Sequence, residues 1–220
     1  MSRINIAIDG PSAAGKSTIA KNIAKKLGYV HLDTGAMYRC IGYKCQMQNV
    51  DYKNDEDMIK LLANTEIVLT ADGKIYLDGQ DVSQDIRTNE AGMWASNVST
   101  REVVRKDLVA RQQKMASEKG FVMDGRDIGT VVLKDAELKI FQTASVEARA
   151  KRRFLENQAK GLKEDYETIY RDIELRDYQD THREVSPLTR AEDAILLDTS
   201  DMSIEEVTNH ILELVEEKMK

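Results

Sequence analysis

Residues 4–18 read INIAIDGPSAAGKST, and this stretch decides the fold. It opens with Ile4–Ile8, an apolar run with the length of a buried β-strand. From Gly10 to Ser17 it fits the pattern of a glycine, four residues, Gly-Lys and a serine or threonine. Apolar residues at helical spacing follow directly. The order of strand, loop and helix predicts an α/β protein that holds the phosphates of a nucleotide.

The chemistry of an anion site explains the spacing of this loop. Glycines let the backbone curl until successive N–H groups point inward, and the following helix adds its positive N-terminal end. We expect Lys16 to reach the outer phosphates and the Ser17 hydroxyl to ligate the Mg²⁺ that accompanies ATP. The loop residues predicted to bind ATP are Gly10, Pro11, Ser12, Ala13, Ala14, Gly15, Lys16, Ser17 and Thr18.

Beyond the loop, short apolar runs alternate with longer segments of helical period. Ile19, Ile23 and Leu27 share one helix face, and Gly28 is placed to end that helix. The alternation is typical of a parallel sheet with helices on its faces, so we predict an α/β fold with a parallel five-stranded sheet. The candidate strands are Ile4–Ile8, Tyr29–Leu32, Phe121–Met123, Leu138–Phe141 and Ala194–Leu197.

Two regions interrupt this alternation. Residues 66–87 hold short apolar runs separated by Ala71-Asp72-Gly73 and Asp78-Gly79, which predicts a small antiparallel β-insert. Residues 145–184 are strongly charged and of helical period. Since no linker separates these regions from the rest, we expect residues 1–220 to form a single domain.

Two further helices have recognisable starts. Ser99-Thr100-Arg101-Glu102 has the spacing of a capping box, and its helix is predicted to run to about Gly120. Ser203-Ile204-Glu205-Glu206 opens the last helix, which carries apolar residues along one face.

Composition excludes several classes of protein. A net charge of −6 over 220 residues provides no general basic field for nucleic acid, so any bound anion must be held by a local site. No apolar run approaches the ~20 residues of a membrane span, and Met1-Ser2-Arg3 does not open a signal peptide. We therefore expect a cytoplasmic protein with neither nucleic-acid nor membrane partners.

Cysteine and histidine give little sign of chemistry. Cys40 and Cys45 have neither the spacing nor the partners of a redox or metal set, so we expect packed thiols. His31, inside a predicted strand, is expected to be a hydrogen-bonded core or edge residue rather than a catalyst.

Cations and carboxylates follow two more of the predicted strands. Arg39 comes soon after the second strand, and Asp124-Gly125-Arg126-Asp127 ends the third. Ligands of parallel α/β folds bind at the carboxyl ends of strands, where a carboxylate such as Asp124 can hold magnesium. Further cations beside a phosphate loop indicate a second anionic substrate, as a kinase acting on a nucleotide requires.

Four motifs, in order over essentially the whole chain, resemble the bacterial cytidylate kinase family. They are Gly10 to Ser17, Asp33-Thr34-Gly35-Ala36-Met37-Tyr38-Arg39, Asp124-Gly125-Arg126-Asp127, and Arg176-Asp177-x2-Asp180-x2-Arg183. The resemblance implies a P-loop kinase fold that transfers a phosphoryl group from ATP to CMP or dCMP. It also implies a monophosphate-binding insert at 35–105 and a helical lid at 148–184. Thr34 and Ala13 replace the family's usual serine and glycine, both conservative changes.

The resemblance further implies roles for single residues. It implies that the acceptor phosphate is bound by Arg39, Arg126 and Arg183. It implies that the base is contacted by Ser96, Arg105 and Asp127, and the sugar by Arg176 and Asp180. The full CMP-binding set is Thr34, Tyr38, Arg39, Ser96, Arg105, Arg126, Asp127, Arg176, Asp180 and Arg183. Arg149 and Arg153 join the ATP site, Ser17 and Asp124 hold the metal, and the catalytic residues are Lys16, Arg126, Arg152 and Arg183.

Base chemistry agrees with this assignment, although other readings stay open. Cytosine presents an amino donor where uracil presents a carbonyl acceptor, so the Asp127 carboxylate favours cytosine. One alternative is a kinase of the same fold that acts on UMP or shikimate. The other is a nucleotide-binding regulatory module, although such a module needs only one anionic ligand. The Asn-Lys-x-Asp motif by which regulatory GTPases read guanine is absent from the sequence. We also expect the protein to be a monomer.

Overall fold

The computed structural model describes residues 3–70 and 73–219. In chain order the elements are β1 Ile6–Asp9, α1 Lys16–Leu27, β2 Val30–Asp33, α2 Thr34–Met47, α3 Asp55–Ala63, β3 Ile67–Leu69, β4 Ile75–Leu77, β5 Gln80–Asp81, α4 Asn89–Ser99, α5 Glu102–Met115, β6 Phe121–Gly125, β7 Leu138–Thr143, α6 Val146–Ala159, α7 Tyr166–His182, β8 Ile195–Asp198 and α8 Ile204–Lys218. A 3₁₀ turn at Asp85–Arg87 and a π-helical turn at Ile128–Val132 complete the description.

The main sheet has five strands in the order β2-β6-β1-β7-β8. Strand β1 is central, and Ile6 pairs in parallel with Val122 of β6 and with Leu138 of β7. All five predicted strands belong to this sheet, so the predicted α/β class with a parallel five-stranded sheet is confirmed. The carboxyl end of β1 therefore delivers the phosphate loop between the ends of β6 and β7.

Helices α1 and α8 bury their apolar faces in one core with the central strands. Ile6 and Ile8 of β1, Ile23 of α1 and Ile211 of α8 are fully buried in this cluster. Burying each such side chain contributes roughly 1.5–3 kcal/mol, before the cost of ordering the chain. The helical periods read from the sequence thus fix α1, and with it the loop at its N-terminus, against the sheet.

The chain divides into two compact units, one with residues up to His31 and from Lys119 onward, the other with Leu32–Glu118. In the second unit α2 packs on α4 so closely that a Cβ at Gly42 would lie 2.7 Å from Trp94 Cβ. The unit also holds the antiparallel sheet β3-β4-β5, which confirms the predicted insert. Ala71 and Asp72 of its predicted turn lie outside the described residues.

One of the two predicted helix starts is wrong. Ser99 is the last residue of α4, and its hydroxyl donates to the Ser96 carbonyl at 2.8 Å instead of capping a new helix. The preceding residues form a helix of their own, capped by Thr88, so α5 begins only at Glu102 and ends at Met115. The α8 start is correct, because Ser203 and Glu206 form a reciprocal capping box.

Within residues 3–70 and 73–219, none of the helices combines the length and the apolar character needed to cross a membrane.

Candidate active site

Asp9, the last residue of β1, ties the start of the phosphate loop to the segment after β6. Its two carboxylate oxygens accept hydrogen bonds from the backbone N–H groups of Ile128 and Gly129, each at 2.7 Å. Burial raises the pKa of Asp9 to about 6, although these two donors favour the ionised form. The π-helical turn is thereby held beside the loop.

The loop itself has little spare room. A Cβ at Gly10 would lie 1.9 Å from the Gln142 carbonyl oxygen of β7, and Gln142 Nε2 donates to the Ala14 carbonyl at 2.5 Å. Gly15 has a φ of 88°, and Ala13 has a φ of 56°. The left-handed conformation at Ala13 costs an alanine about 1–2 kcal/mol, a cost that a glycine would avoid.

Lys16 is buried at the base of the loop. Its ammonium donates to the Pro11 carbonyl at 2.7 Å. Burial lowers the pKa of Lys16 to about 7, and the nearby Arg126 lowers it further while Asp124 opposes the shift. Such a cation gains the most from a polyphosphate, because the anion replaces the lost hydration.

Ser17 and Asp124 meet beside the loop. The Ser17 hydroxyl donates to Asp124 Oδ2 at 2.6 Å, so a hydroxyl and a carboxylate oxygen from two elements lie together. Within the described parts of the chain, no group of three His, Cys, Asp or Glu side chains could hold a metal alone. The pair fits Mg²⁺, which prefers oxygen ligands and is usually bound through one or two protein groups plus substrate phosphates.

His31 of β2 contacts the same carboxylate. Its Nε2 atom lies 2.7 Å from Asp124 Oδ1. The sequence predicted a hydrogen-bonded histidine, but it gave no sign that the partner is the proposed metal ligand. Only the placement of β2 beside β6 reveals this contact.

Arg149 of α6 and Asp177 of α7 close over the phosphate loop. Arg149 donates through Nη1 to the Ser12 carbonyl at 3.1 Å and forms a close ion pair with Asp177 Oδ2. The Ser12 N–H donates to Asp177 Oδ1 at 3.0 Å. The structure thus brings Arg149 to the loop, and it adds Asp177, which the predicted site did not include.

The structure does not bring the other two predicted lid arginines to the loop. Arg152 donates through Nη2 to the Thr199 carbonyl and to the Ser200 and Met202 carbonyls at 3.3 and 3.4 Å. Those carbonyls follow β8 and satisfy a guanidinium well, which is the physical reason for its position. Arg153 is half-buried, with its Nε atom 3.8 Å from Glu156 Oε2. The catalytic role of Arg152 gains no geometric support.

A network of arginines and carboxylates joins α7 to the end of β6. Arg126 Nε donates to Asp180 Oδ2 at 2.7 Å. Arg183 lies 3.7 Å from Asp180 Oδ1 and 3.9 Å from Asp127 Oδ1. Burial alone would raise the pKa of Asp180, but Arg126, Arg176 and Arg183 hold it below its ordinary value. The five residues that the sequence assigned to the acceptor in this unit therefore share one cluster.

In the second unit, Asp33 organises the start of α2. It caps the helix by accepting from the Ala36 N–H at 2.9 Å, and its Oδ2 lies 3.7 Å from Arg39 Nη2. Arg87 also reaches Asp33, at 3.2 Å, and was missed because it stands alone in the sequence after the β-insert. A Cβ at Gly35 would lie 3.2 Å from Asp33 Oδ1 and 3.4 Å from Arg39 Nη1, so this glycine avoids crowding the Asp33 carboxylate.

The other residues predicted for this unit lie on α2, α4 and α5. The Arg105 guanidinium stands over the Tyr38 ring, 5.6 Å from its centre, and donates to the Ser99 carbonyl at 3.3 Å. Thr34 is buried at the first position of α2, and Ser96 is half-buried on α4.

The fold and the phosphate-loop site define a nucleotide-dependent kinase of the P-loop class. Among solved structures, a shikimate kinase from Bacteroides thetaiotaomicron has a TM-score of 0.52 over 98% of this chain and 99% of that one, at 12% identity. An uncharacterised protein from Eubacterium ventriosum has the same TM-score of 0.52 over 98% of this chain and 99% of that one, at 13% identity. At such identities the likeness shows the fold alone.

The sequence comparisons define the family. The family profile described as cytidylate kinase matches residues 6–217. A curated cytidylate kinase from Caldicellulosiruptor saccharolyticus is 52% identical over 217 residues, which cover 97% of this chain and 96% of that protein. One from Bacillus subtilis is 50% identical over 221 residues, 99% of each. The chain belongs to the cytidylate kinase family, and it is a nucleoside monophosphate kinase.

Proposed function

We propose that this protein transfers the terminal phosphoryl group of ATP to CMP or dCMP, giving CDP or dCDP and ADP, with Mg²⁺ as the metal. One observation carries the proposal. The end of β6 carries the Asp124 carboxylate, and Arg126 and Asp127 follow it directly, beside the loop that follows β1. We assign the metal to Asp124, the acceptor phosphate to Arg126 and the cytosine base to Asp127. One strand end thereby offers groups for both substrates.

On the donor side, the loop N–H groups and Lys16 bind the ATP phosphates, and Arg149 approaches from α6. Mg²⁺ held by Ser17 and Asp124 would neutralise charge on the phosphate oxygens. The proposed ATP residues are Gly10, Pro11, Ser12, Ala13, Ala14, Gly15, Lys16, Ser17, Thr18, Arg149 and Arg153.

On the acceptor side, Arg126 and Arg183 bind the CMP phosphate, Asp127 accepts from the cytosine amino group, and Arg176 and Asp180 contact the sugar. The ion pairs of Asp180 support this assignment, because they orient both Arg126 and Arg183. The second unit is proposed to supply Thr34, Tyr38, Arg39, Ser96 and Arg105.

Transfer needs alignment more than covalent chemistry. The transition state is loose, with charge spread over the migrating group, so positioned cations supply the catalysis. No general base is needed, because the attacking phosphate oxygen is already anionic at neutral pH. We propose that residues 148–184 act as a lid that excludes competing water and that residues 35–105 bind the monophosphate.

A panel of acceptors tests the proposal. CMP, dCMP, UMP and shikimate are each supplied with ATP and Mg²⁺, and ADP release is followed. We expect the highest kcat/KM with CMP or dCMP. A higher kcat/KM with UMP or shikimate would show that this molecule, and not CMP or dCMP, is the acceptor. Tight ATP binding without any turnover would favour a regulatory module. We further propose that the protein is a cytoplasmic monomer. Light scattering measures its mass in solution and so tests the monomer.

A further inference from the structure

His31 is bound to the carboxylate that the proposed function assigns to the metal. Each oxygen of Asp124 has a close contact: Oδ2 accepts from the Ser17 hydroxyl at 2.6 Å, and Oδ1 lies 2.7 Å from His31 Nε2. The three side chains come from α1, β6 and β2. They form a continuous chain from an edge strand of the sheet to the first turn after the phosphate loop.

The direction of the hydrogen bond follows from the chemistry of the two groups. An ionised carboxylate only accepts, so the hydrogen between these atoms must belong to His31 Nε2. Both the Nε2–H tautomer and the imidazolium carry it there. His31 is therefore the donor in either protonation state.

Burial makes this donor hard to replace. Asp124 is only 4% exposed, whereas the His31 side chain is 19% exposed and closes one side of the carboxylate. A buried oxygen that loses its donor is left without compensation for its lost hydration, and the carboxylate can recover part of that loss by turning. Such a turn would move Oδ2 away from Ser17, so the two proposed ligand oxygens would no longer be side by side.

We propose that His31 is a positioning residue for the nucleotide-bound metal. By holding Asp124 Oδ1, it keeps Oδ2 and the Ser17 hydroxyl directed at one point. It acts through Asp124 and does not touch the reacting atoms. The inference rests on the proposed function, and it adds a residue that neither the phosphate loop nor the arginine clusters contain.

A merely structural tie between β2 and β6 predicts a different result. Such a tie would lower the stability of every variant without changing how strongly metal binds to the folded protein. Positioning predicts weaker metal binding when the donor is lost and recovery when another N–H donor is supplied. Partners that orient metal ligands typically change metal affinity by about 10- to 100-fold when removed.

The test uses His31→Leu, which removes the donor, and His31→Gln, whose amide N–H has a similar reach. His210→Leu is the matched control, because His210 also faces a carboxylate, 3.9 Å away at Glu213, on the exposed surface of α8. Binding of Mn²⁺ to the full-length protein with a non-hydrolysable ATP analogue is measured by electron paramagnetic resonance. The Mg²⁺ concentration that gives half-maximal rate is measured in parallel.

We expect His31→Leu to weaken Mn²⁺ binding about 10-fold or more, with His31→Gln recovering most of the loss and His210→Leu unchanged. Equal behaviour of the Leu and Gln variants, or metal affinity unchanged in both, overturns the proposal. If His31→Leu does not fold, ¹⁵N-histidine NMR of the unaltered protein decides. A hydrogen on Nε2 of His31 whose signal shifts in Asp124→Asn supports the contact, and a bare Nε2 refutes it.

The outcome can be separated from that of the acceptor panel. Metal binding with the ATP analogue needs no CMP, so the His31 variants report on the donor site even if the acceptor is another molecule. Conversely, turnover of CMP with a normal metal dependence in His31→Leu would leave the proposed function standing and remove His31 from it.

Discussion

Asp177 of α7 accepts a hydrogen bond from the backbone N–H of Ser12 in the phosphate loop, at 3.0 Å. A side-chain carboxylate thus accepts from a loop whose backbone N–H groups are of the kind that bind anions. The same side chain pairs with Arg149, which the sequence assigned to ATP. The contact links α6 and α7 to the phosphate loop through charged side chains.

We expect Asp177→Asn to bind ATP more tightly, by roughly 5-fold, because removing one negative charge near the phosphates relieves ~1 kcal/mol of repulsion. The amide oxygen can still accept from Ser12, so the shape of the loop is kept. Calorimetric titration with ATP measures the change. Asp172→Asn, an exposed carboxylate on the same helix, is the control, and equal or weaker binding in Asp177→Asn would contradict the expectation.

Lys16→Ala should give a folded protein with turnover reduced by about 100-fold or more, since the main preorganised cation at the loop is lost. Thermal unfolding checks the fold and steady-state ADP release checks the rate. An undiminished kcat would sink the assignment of this lysine.

Asp127→Ala should erase most of the preference for CMP over UMP, because the acceptor for the cytosine amino group is removed. One well-placed base contact discriminates by about 1–3 kcal/mol, so the ratio of the two kcat/KM values should fall by roughly 10- to 100-fold. If the ratio survives, Asp127 does not read the base, and its contact with Arg183 is its main role.

Gly10→Ala should destabilise the protein by about 1–3 kcal/mol and weaken ATP binding, because the new methyl group would stand 1.9 Å from the Gln142 carbonyl oxygen. Gly79→Ala is the matched control. Gly79 also has positive φ, at +83°, but nothing lies within 4 Å of its added Cβ, so only backbone strain is expected. Urea unfolding compares the two, and equal losses would show that crowding at Gly10 is unimportant.

Cys40 and Cys45 should both resist a thiol reagent at pH 8 in the folded protein and react once it is unfolded in denaturant. Burial raises the pKa of Cys40 to about 12 and that of Cys45 to about 11, so the reactive thiolates are scarce. Rapid labelling of the native protein would contradict this.

The same pKa values set a pH dependence of stability. Between the ordinary thiol pKa of 9.0 and the raised values, the unfolded chain loses its protons first. These two groups therefore favour unfolding as pH rises above 9.0, and replacing both with alanine should flatten that part of the stability profile. Thermal unfolding between neutral and alkaline pH measures the slope.

Local sequence patterns sufficed for the strands, the phosphate loop, α1, α8 and the β-insert. The apolar period of β1 and α1, the glycines of the loop and the Ser203–Glu206 capping box each depend on neighbours in the chain. The Ser99 start failed because Ser99 lies at the C-terminal end of α4, where its hydroxyl donates to the Ser96 carbonyl, and α5 begins only at Glu102. A capping-box spacing alone cannot decide whether its serine ends one helix or starts the next.

The sequence by itself determined the loop that holds phosphate, because its geometry is made by residues next to one another. Only the tertiary structure decided that His31 meets Asp124 across 93 positions and that Asp177 meets Ser12 across 165. It also decided that Arg152 donates to the carbonyl of Thr199 after β8, a contact that its neighbours in the sequence do not indicate. Such pairings depend on strand order and on how helices pack. Both follow from burial of apolar surface along the whole chain, to which every residue contributes and which no short motif specifies.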